Sequence, residues 1–579
     1  MSALLSVEDV SVDFGSGSPA VSEVSFSLTA GEVLAVVGES GSGKTVTAMS
    51  LLGLLPPTAT VSGHAVLNGR DLYSLNANEL REVRGNEAGM VFQEPMSALN
   101  PVFTIGSQIV EAVRVHRAVS RAKARARAVE LLRLVGLPEE RFKAYPHEMS
   151  GGQLQRVVIA MAVANEPSLL IADEPTTALD VTVQAEILGL LRDLRDRLGV
   201  AILLITHDMG VVADLADRVV VMNAGRVVET GTVRQVFRAP AEKYTRTLLD
   251  SVLRLDSREL GRRDTAEPAP PPDTREPGTH DTAEPAPPPD TREPGTHDTA
   301  EPAPPPDTRE PETRDTAEPA PPPDSAPTGP PRSTTEPVLL LSGASVTYGK
   351  FRAVSDVSLT IGQGETLGLV GESGSGKSSL AGAITGLTRY TGRITVAGKE
   401  VSALRKGDRG RIGLVFQDPL SSLNPRATIA RSIAQPLLLH TSLRGRELAA
   451  KVDSLLDAVQ LSASLRDRYP HELSGGQRQR VGIARAIALD PDLLIADEPT
   501  SALDVTVQAR VLDLVRSLQR DLRFACLFIS HDLAVVQHLA DRVAVLHLGR
   551  VVEEGTSVFA APQDPYTRRL LASALTVSV

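Results

Sequence analysis

The residues VVGESGSGKT occupy positions 36–45, and LVGESGSGKS follows at 369–378. Each completes an apolar run suited to a buried strand, EVLAVVG (32–38) or ETLGLVG (365–371), and leads into a helix-like stretch, KTVTAMSLLGLL or KSSLAGAITGL. In the pattern G-x-x-x-x-G-K-[ST], glycines let backbone N–H groups close around phosphate oxygens at a helix N-terminus, whose dipole favours negative charge. The expected cradles are Gly38, Ser40, Gly41, Ser42 and Gly43 in the first copy and Gly371, Ser373, Gly374, Ser375 and Gly376 in the second. Lys44 and Lys377 should reach the β/γ-phosphates, while Thr45 and Ser378 offer a hydroxyl to Mg2+. This is the strand–loop–helix opening of an α/β P-loop nucleotide-binding domain, present twice.

The duplication runs in register well beyond the opening motif. GMVFQEPMSALNP (89–101) matches GLVFQDPLSSLNP (413–425), YPHEMSGGQLQR (145–156) matches YPHELSGGQRQR (469–480), and LLIADEPTTALDVTVQA (169–185) matches LLIADEPTSALDVTVQA (493–509). Gln93 and Gln417, Ser150 and Ser474, Glu174 and Glu498, and His207 and His531 all stand 324 positions apart, whereas Lys44 and Lys377 stand 333 apart. The second half has therefore lost nine residues net between its first and second motifs, and both halves are expected to fold alike. LLIADE places Asp173 and Asp497 at strand ends, where a carboxylate can hold a metal through water, with Glu174 and Glu498 next in line as bases for an attacking water. Residues 104–136 and 428–461 carry helical periodicity and suggest a mainly helical subdomain in each half.

The acid in this chain is concentrated. Of a net charge of −11, four copies of a 17-residue unit at 264–331, beginning DTAEPAPPPDTREPGTH, contribute −3 each, so the remainder is close to neutral. No global basic field for nucleic acid remains. With at least five prolines per copy and no apolar face, the array cannot bury a core or stack as a solenoid, and an extended or disordered tether is expected. The division is then 1–253, a first α/β domain; 254–337, an acidic Pro-rich linker; and 338–579, a second α/β domain. Apolar runs such as VAILLI (200–205) fall well short of the ~18–20 residues that span a bilayer, and no export signal is visible, so a cytosolic protein is expected. Cys526, the only cysteine, excludes internal disulfides and cysteine-built metal clusters and reads as a buried strand residue in FACLFIS. The basic stretch RAVSRAKARARA (117–128) lacks interleaved aromatics and reads as a solvated helix face.

The ordered set of G-x-x-x-x-G-K-[ST], FQ, SGGQ, LLIADE, ALD and THD or SHD, complete in both halves, resembles the nucleotide-binding domain of ABC ATPases. The resemblance covers everything except the linker and implies ATP and Mg2+ as ligands. It implies that the two halves pair head to tail within the chain, so that Ser150, Gly151, Gly152 and Gln153 face the nucleotide on Lys377, and Ser474, Gly475, Gly476 and Gln477 that on Lys44. By the same resemblance Gln93 and Gln417 sense Mg2+ and couple to a partner, His207 and His531 contact the γ-phosphate, and Asp180 and Asp504 communicate between the sites. Phe14 and Tyr348 stand where an adenine-stacking aromatic is found, with an ordinary strand aromatic as the alternative. Met149 replaces the usual leucine and Thr177 stands opposite Ser501; neither change removes a catalytic group.

The finer wording, including the tails KYTRTLL (243–249) and PYTRRLL (565–571), resembles the ATPase subunits of bacterial dipeptide/oligopeptide/nickel importers, here two subunits fused. The resemblance implies two separate membrane permeases, an extracytoplasmic substrate-binding protein, and a place on the cytoplasmic face of the membrane. Many such subunits carry a cysteine-ligated iron–sulfur cluster, which this chain cannot build. The competing expectation is a soluble twin-domain ABC ATPase acting on ribosomes or nucleic acid, whose linker should be a charged helical hairpin; the proline content argues against that.

Overall fold

A computed structural model describes residues 3–253, 255 and 336–574, apart from positions 16, 178, 406, 419–421 and 502. The repeat array and the tether expected of it lie outside the described residues.

Each half is built on a six-stranded sheet whose order is the same in both. In the first half the order is Arg226–Thr232, Arg218–Asn223, Val33–Val37, Ala201–Ile205, Leu169–Asp173 and Ala88–Val91; all neighbours are parallel except the Arg226–Thr232 edge. In the second half Arg550–Gly555, Arg542–His547, Thr366–Val370, Ala525–Ile529, Leu493–Asp497 and Ile412–Val415 repeat it. The central strands are almost wholly apolar because both faces are covered, with aspartate only at the ends of Leu169–Asp173 and Leu493–Asp497. Leu170, Ala172, Ile202 and Leu204 enter a core shared with the helical subdomain, while Leu169, Ile171, Leu203 and Ile205 enter one shared with a four-stranded antiparallel sheet. Cys526 sits fully buried in the equivalent strand of the second half, where burial pushes its thiol up to about 12.

The expected helical subdomains are present as helices Ile105–His116 and Arg121–Leu134 in one half and Ile429–His440 and Gly445–Ala458 in the other. In Arg121–Leu134, Ala124 and Ala128 face the core and the basic residues lie outside. Arg127 pairs with Glu166, and Arg125 lies over the Phe142 ring at 4.6 Å.

The nine-residue shortening resolves into two steps. The offset between equivalent positions falls from 333 at Lys44 and Lys377 to 329 at Leu67 and Val396, each the partner of the first residue of the first strand of its half, Leu5 or Leu339. It reaches 324 at Ala88 and Ile412, which pair with Leu169 and Leu493. In that second interval the first half forms helix Ala77–Val83, closed by an Asn76–Glu79 capping box, whereas the second has the short turn Arg409–Arg411. The loss falls on the periphery, so the strands that carry the motifs keep their register.

Candidate functional site

In both halves the glycine-rich loop joins a buried strand to a helix, Lys44–Leu51 or Lys377–Ile384, whose N-terminus has no side-chain cap. Its first N–H groups are thus left for a ligand. Gly38 and Gly371 adopt φ of 150° and 151°, and a Cβ there would stand 2.1 and 2.2 Å from the carbonyl oxygens of Met222 and Leu546. No other residue fits that turn. Lys44 Nζ donates to the carbonyls of Gly38 and Glu39, both at 2.8 Å, and Lys377 Nζ to those of Gly371 and Glu372 at 2.7 and 2.9 Å. Burial holds both ammonium groups below the usual lysine range, against the pull of nearby carboxylates led by Glu174 and Glu498. A buried cation with backbone oxygens for partners, beside uncapped N–H donors, suits an anionic phosphate.

The strand ends Asp173 and Asp497 bring the carboxylates to the same place. Thr45 Oγ1 donates to Asp173 Oδ1 at 3.1 Å, and Ser378 hydrogen-bonds Asp497 in the same way. Burial raises both carboxyls, Asp173 to about 6, and the neighbouring glutamate adds to the effect. A buried carboxylate held high in this way is relieved by a cation. Hydroxyl, carboxylate and amide oxygens are hard donors that fit Mg2+, which binds through few protein groups and keeps water and phosphate ligands. Among the described residues no cluster of three His, Cys, Asp or Glu forms a protein-only metal cage.

Glu174 and Glu498 take φ of 47°, a left-handed conformation costly for a side-chain-bearing residue, and each N–H is tied to the adjacent strand through Ile205 O or Ile529 O. The strained turn aims each carboxylate at two partners. Gln93 Nε2 donates to Glu174 at 2.9 Å and Gln417 Nε2 to Glu498 at 2.8 Å; His207 Nδ1 lies 3.0 Å from Glu174 and His531 Nδ1 3.2 Å from Glu498. Burial works to raise the glutamates and lower the histidines, but their mutual attraction wins: Glu174 and Glu498 are lowered and His207 and His531 raised. Each site therefore sets a carboxylate against an imidazole, each favouring the charged form of the other. Thr177 adds a third contact to Glu174 through Oγ1 at 2.9 Å, whereas Ser501 Oγ donates to the Glu498 carbonyl at 3.2 Å.

The two aromatics part company. Tyr348 is exposed and lines a cleft with Lys377, Ser378, Gln417, Glu498 and His531, whereas Phe14 packs against the core beneath the antiparallel sheet. Phe351, also exposed on that cleft, was not singled out by sequence; its hairpin differs in length from the one in the first half.

Ser150 and Ser474 cap helices Gly151–Ala162 and Gly475–Ile487, with Gln153 and Gln477 closing reciprocal capping boxes. The S-x-x-Q spacing itself signals this. A Cβ on Gly152 or Gly476 would meet Val183 or Val507 Cγ1 at 2.3 Å, so these glycines let two helices approach. The residue of the first half that reaches the cleft at Lys377 is Asp180: its Oδ2 accepts from Ser373 N at 3.3 Å. The Ser150–Gln153 turn is not among the residues lining that cleft.

Further contacts between the halves involve residues that motif reading missed. Thr182 Oγ1 donates to Glu372 Oε1 at 2.8 Å, and Thr506 Oγ1 to Glu39 Oε1 at 2.6 Å. Leu253 and Leu255, leaving the first half, pack against the core of the second.

The family model described as ABC transporter matches residues 21–177 and 354–501, and that described as oligopeptide/dipeptide transporter, C-terminal region, matches 228–279. The chain is 46% identical over 601 residues to the peptidoglycan transport ATP-binding protein YejF of Agrobacterium fabrum, with 99% of this chain and 97% of that one covered. It is 46% identical over 606 residues to the oligopeptide transport ATP-binding protein OppD of Mycobacterium tuberculosis, covering 99% and 98%. The glutathione import ATP-binding protein GsiA of Escherichia coli is 44% identical over 600 residues, covering 98% and 89%.

Proposed function

Because the chain belongs to the ABC transporter family, we propose that it is the ATP-binding and ATP-hydrolysing subunit of an importer for peptides or related small solutes. The observation that carries the reading is the doubled site: in each half a phosphate cradle, an aspartate, a glutamate and a histidine converge, and residues of the opposite half touch the cradle. We assign residues 1–253 and 338–579 to two ATPase domains and 254–337 to the linker.

Lys44 and Lys377, with the loop N–H groups, hold the phosphates of ATP. Thr45, Gln93 and Asp173, and Ser378, Gln417 and Asp497, hold Mg2+, which supplies charge neutralisation between the phosphates. Glu174 and Glu498 orient and deprotonate the attacking water, and His207 and His531, held by those glutamates, contact the γ-phosphate. Tyr348 stacks on the base of one nucleotide; Phe14 is assigned to the other despite its packing inward. Ser150–Gln153 and Ser474–Gln477 close over the opposite nucleotide, and Asp180 and Asp504 report between sites. No helix among the described residues is long and apolar enough to cross a membrane. The reading therefore places the chain against the cytoplasmic face of the membrane on two permease subunits supplied by other chains, with an extracytoplasmic binding protein delivering substrate.

The test is affinity purification of the tagged chain carrying Glu174→Gln and Glu498→Gln from gently solubilised cells, followed by mass spectrometry. Two multi-span permeases co-purifying is the expected result. Ribosomes without membrane partners would overturn the importer reading in favour of a soluble twin ATPase.

A further inference from the structure

We infer that Tyr244 and Tyr566 are positioning residues of the two nucleotide sites, each fixing the second residue of its own glycine loop so that this residue can engage a threonine of the other half. The inference rests on the reading of two ATP sites in one chain.

The tyrosines lie in helices Lys243–Asp250 and Pro565–Ala572, far along the chain from the loops. These helices are anchored independently of any nucleotide. Glu229 accepts the N–H groups of Ala241 and Glu242 at 2.8 and 3.1 Å, and Glu553 those of Gln563 and Asp564 at 2.8 and 3.0 Å. Thr245 and Thr567 are buried beside them. From this base the Tyr244 hydroxyl accepts the N–H of Glu39 at 3.2 Å, and the Tyr566 hydroxyl that of Glu372 at 3.0 Å. Tyr566 is further held by stacking on His547, with ring centroids 3.8 Å apart.

The backbone of each glutamate is thus held at both of its peptide groups, its N–H by the tyrosine and its carbonyl by the P-loop lysine. The glutamate carboxylate points the other way, to Thr506 or Thr182 across the interface. A lysine that turns toward a phosphate gives up part of its hold on these carbonyls, since its donors are few. The tyrosine then becomes the remaining grip that keeps the carboxylate aimed at the opposite half. Thr506 adds a choice: its Oγ1 lies 2.6 Å from Glu39 Oε1 and 2.8 Å from its own Asp504 Oδ1 with one proton to donate, so engagement of the first half competes with the bond to Asp504 in the second. The consequence is a route by which occupancy of one loop is felt by the other half through Tyr244–Glu39–Thr506, and reciprocally through Tyr566–Glu372–Thr182.

The experiment uses the full chain with Tyr244→Phe, Tyr566→Phe, Thr506→Val and Thr182→Val, singly and in pairs, and measures ATP hydrolysis against ATP concentration. Each Tyr→Phe change keeps the ring and removes one hydroxyl. KM should rise roughly three- to tenfold, the worth of one lost neutral hydrogen bond, with kcat at saturation within about twofold and the Hill coefficient falling toward one. Tyr244→Phe with Thr506→Val should be no worse than the poorer single variant, whereas Tyr566→Phe with Thr506→Val should be additive, because those residues belong to different routes. Additivity in every pair, or KM and Hill coefficients equal to those of the unaltered chain, would overturn the inference. An unaltered chain that neither binds nor hydrolyses ATP would overturn the function reading and this inference with it.

Discussion

Gly152→Ala separates two explanations of the SGGQ motif, because the glycine's neighbour is a protein side chain. A Cβ at residue 152 would lie 2.3 Å from Val183 Cγ1, with Val183 Cβ and Cγ2 at 3.5 and 3.6 Å. Relief requires the two helices, Gly151–Ala162 and Val181–Leu198, to part by about 1 Å, or Val183 to leave its rotamer, which a β-branched residue in a helix resists. Overpacking of this kind costs about 1–3 kcal/mol, offset by up to ~1 kcal/mol from the better helix propensity of alanine. A net destabilisation of about 1–2 kcal/mol is expected, read as a lower midpoint in urea denaturation of the first-half transition. Val183→Ala removes the offending methyls, so the double variant should recover at least half of the loss, with a coupling energy of about 1–2 kcal/mol. If Val183→Ala recovers nothing, the packing argument is wrong and the glycine is required for another reason.

Three further outcomes follow from the geometry. Gly38→Ala meets backbone rather than a side chain, the Met222 carbonyl at 2.1 Å, so ATP binding by the first half should vanish in equilibrium titration with no second-site rescue from side-chain trimming. Glu174→Gln should reduce hydrolysis at the first site by roughly 10²–10⁴-fold, the usual contribution of a positioned base, while ATP binding persists in a filter or fluorescence assay. The pairing of His207 with Glu174 contributes stability that is full below the ordinary histidine value of 6.5 and is lost as pH rises through the raised folded value; at the acid end it is lost as pH falls through the lowered value of Glu174. The His207 imidazole should accordingly titrate above 6.5 by NMR in the intact chain, and lower than that in Glu174→Gln, where only the Asp208 charge still opposes burial.

The sheet and the strand-end side chains of the candidate site were legible because each depends on short-range pattern. VLAVV, LLIA and AILLI are apolar at every position and lead directly into the residues of interest, so strand, strand end and candidate side chain came together. The constant offset of 324 carried the reading from one half to the other. The contacts that tie the sites together were not legible. Tyr244 meets Glu39 across 205 positions and Thr506 meets Glu39 across 467, and no periodicity or spacing rule links residues so far apart. The aromatics show the limit of reading by equivalence. Phe14, just past its strand, and Tyr348, the last residue of the matching strand, both precede a glycine, yet the connection to the next strand is longer in the first half, and Phe14 packs partly buried against the core while Tyr348 stays exposed on the cleft. The SGGQ residues were read only as nucleotide-facing, although their capping boxes and the helix contact at Gly152 give them a local structural task as well.

The central claim is that one chain carries two complete ATP sites, and its most direct test is a count. The full chain with Glu174→Gln and Glu498→Gln should be titrated with ATP and Mg2+ while its mass is followed by light scattering. The account predicts two ATP molecules bound per chain with the mass remaining that of one chain, 61.5 kDa. One ATP per chain, or saturation only after two chains associate, would contradict it.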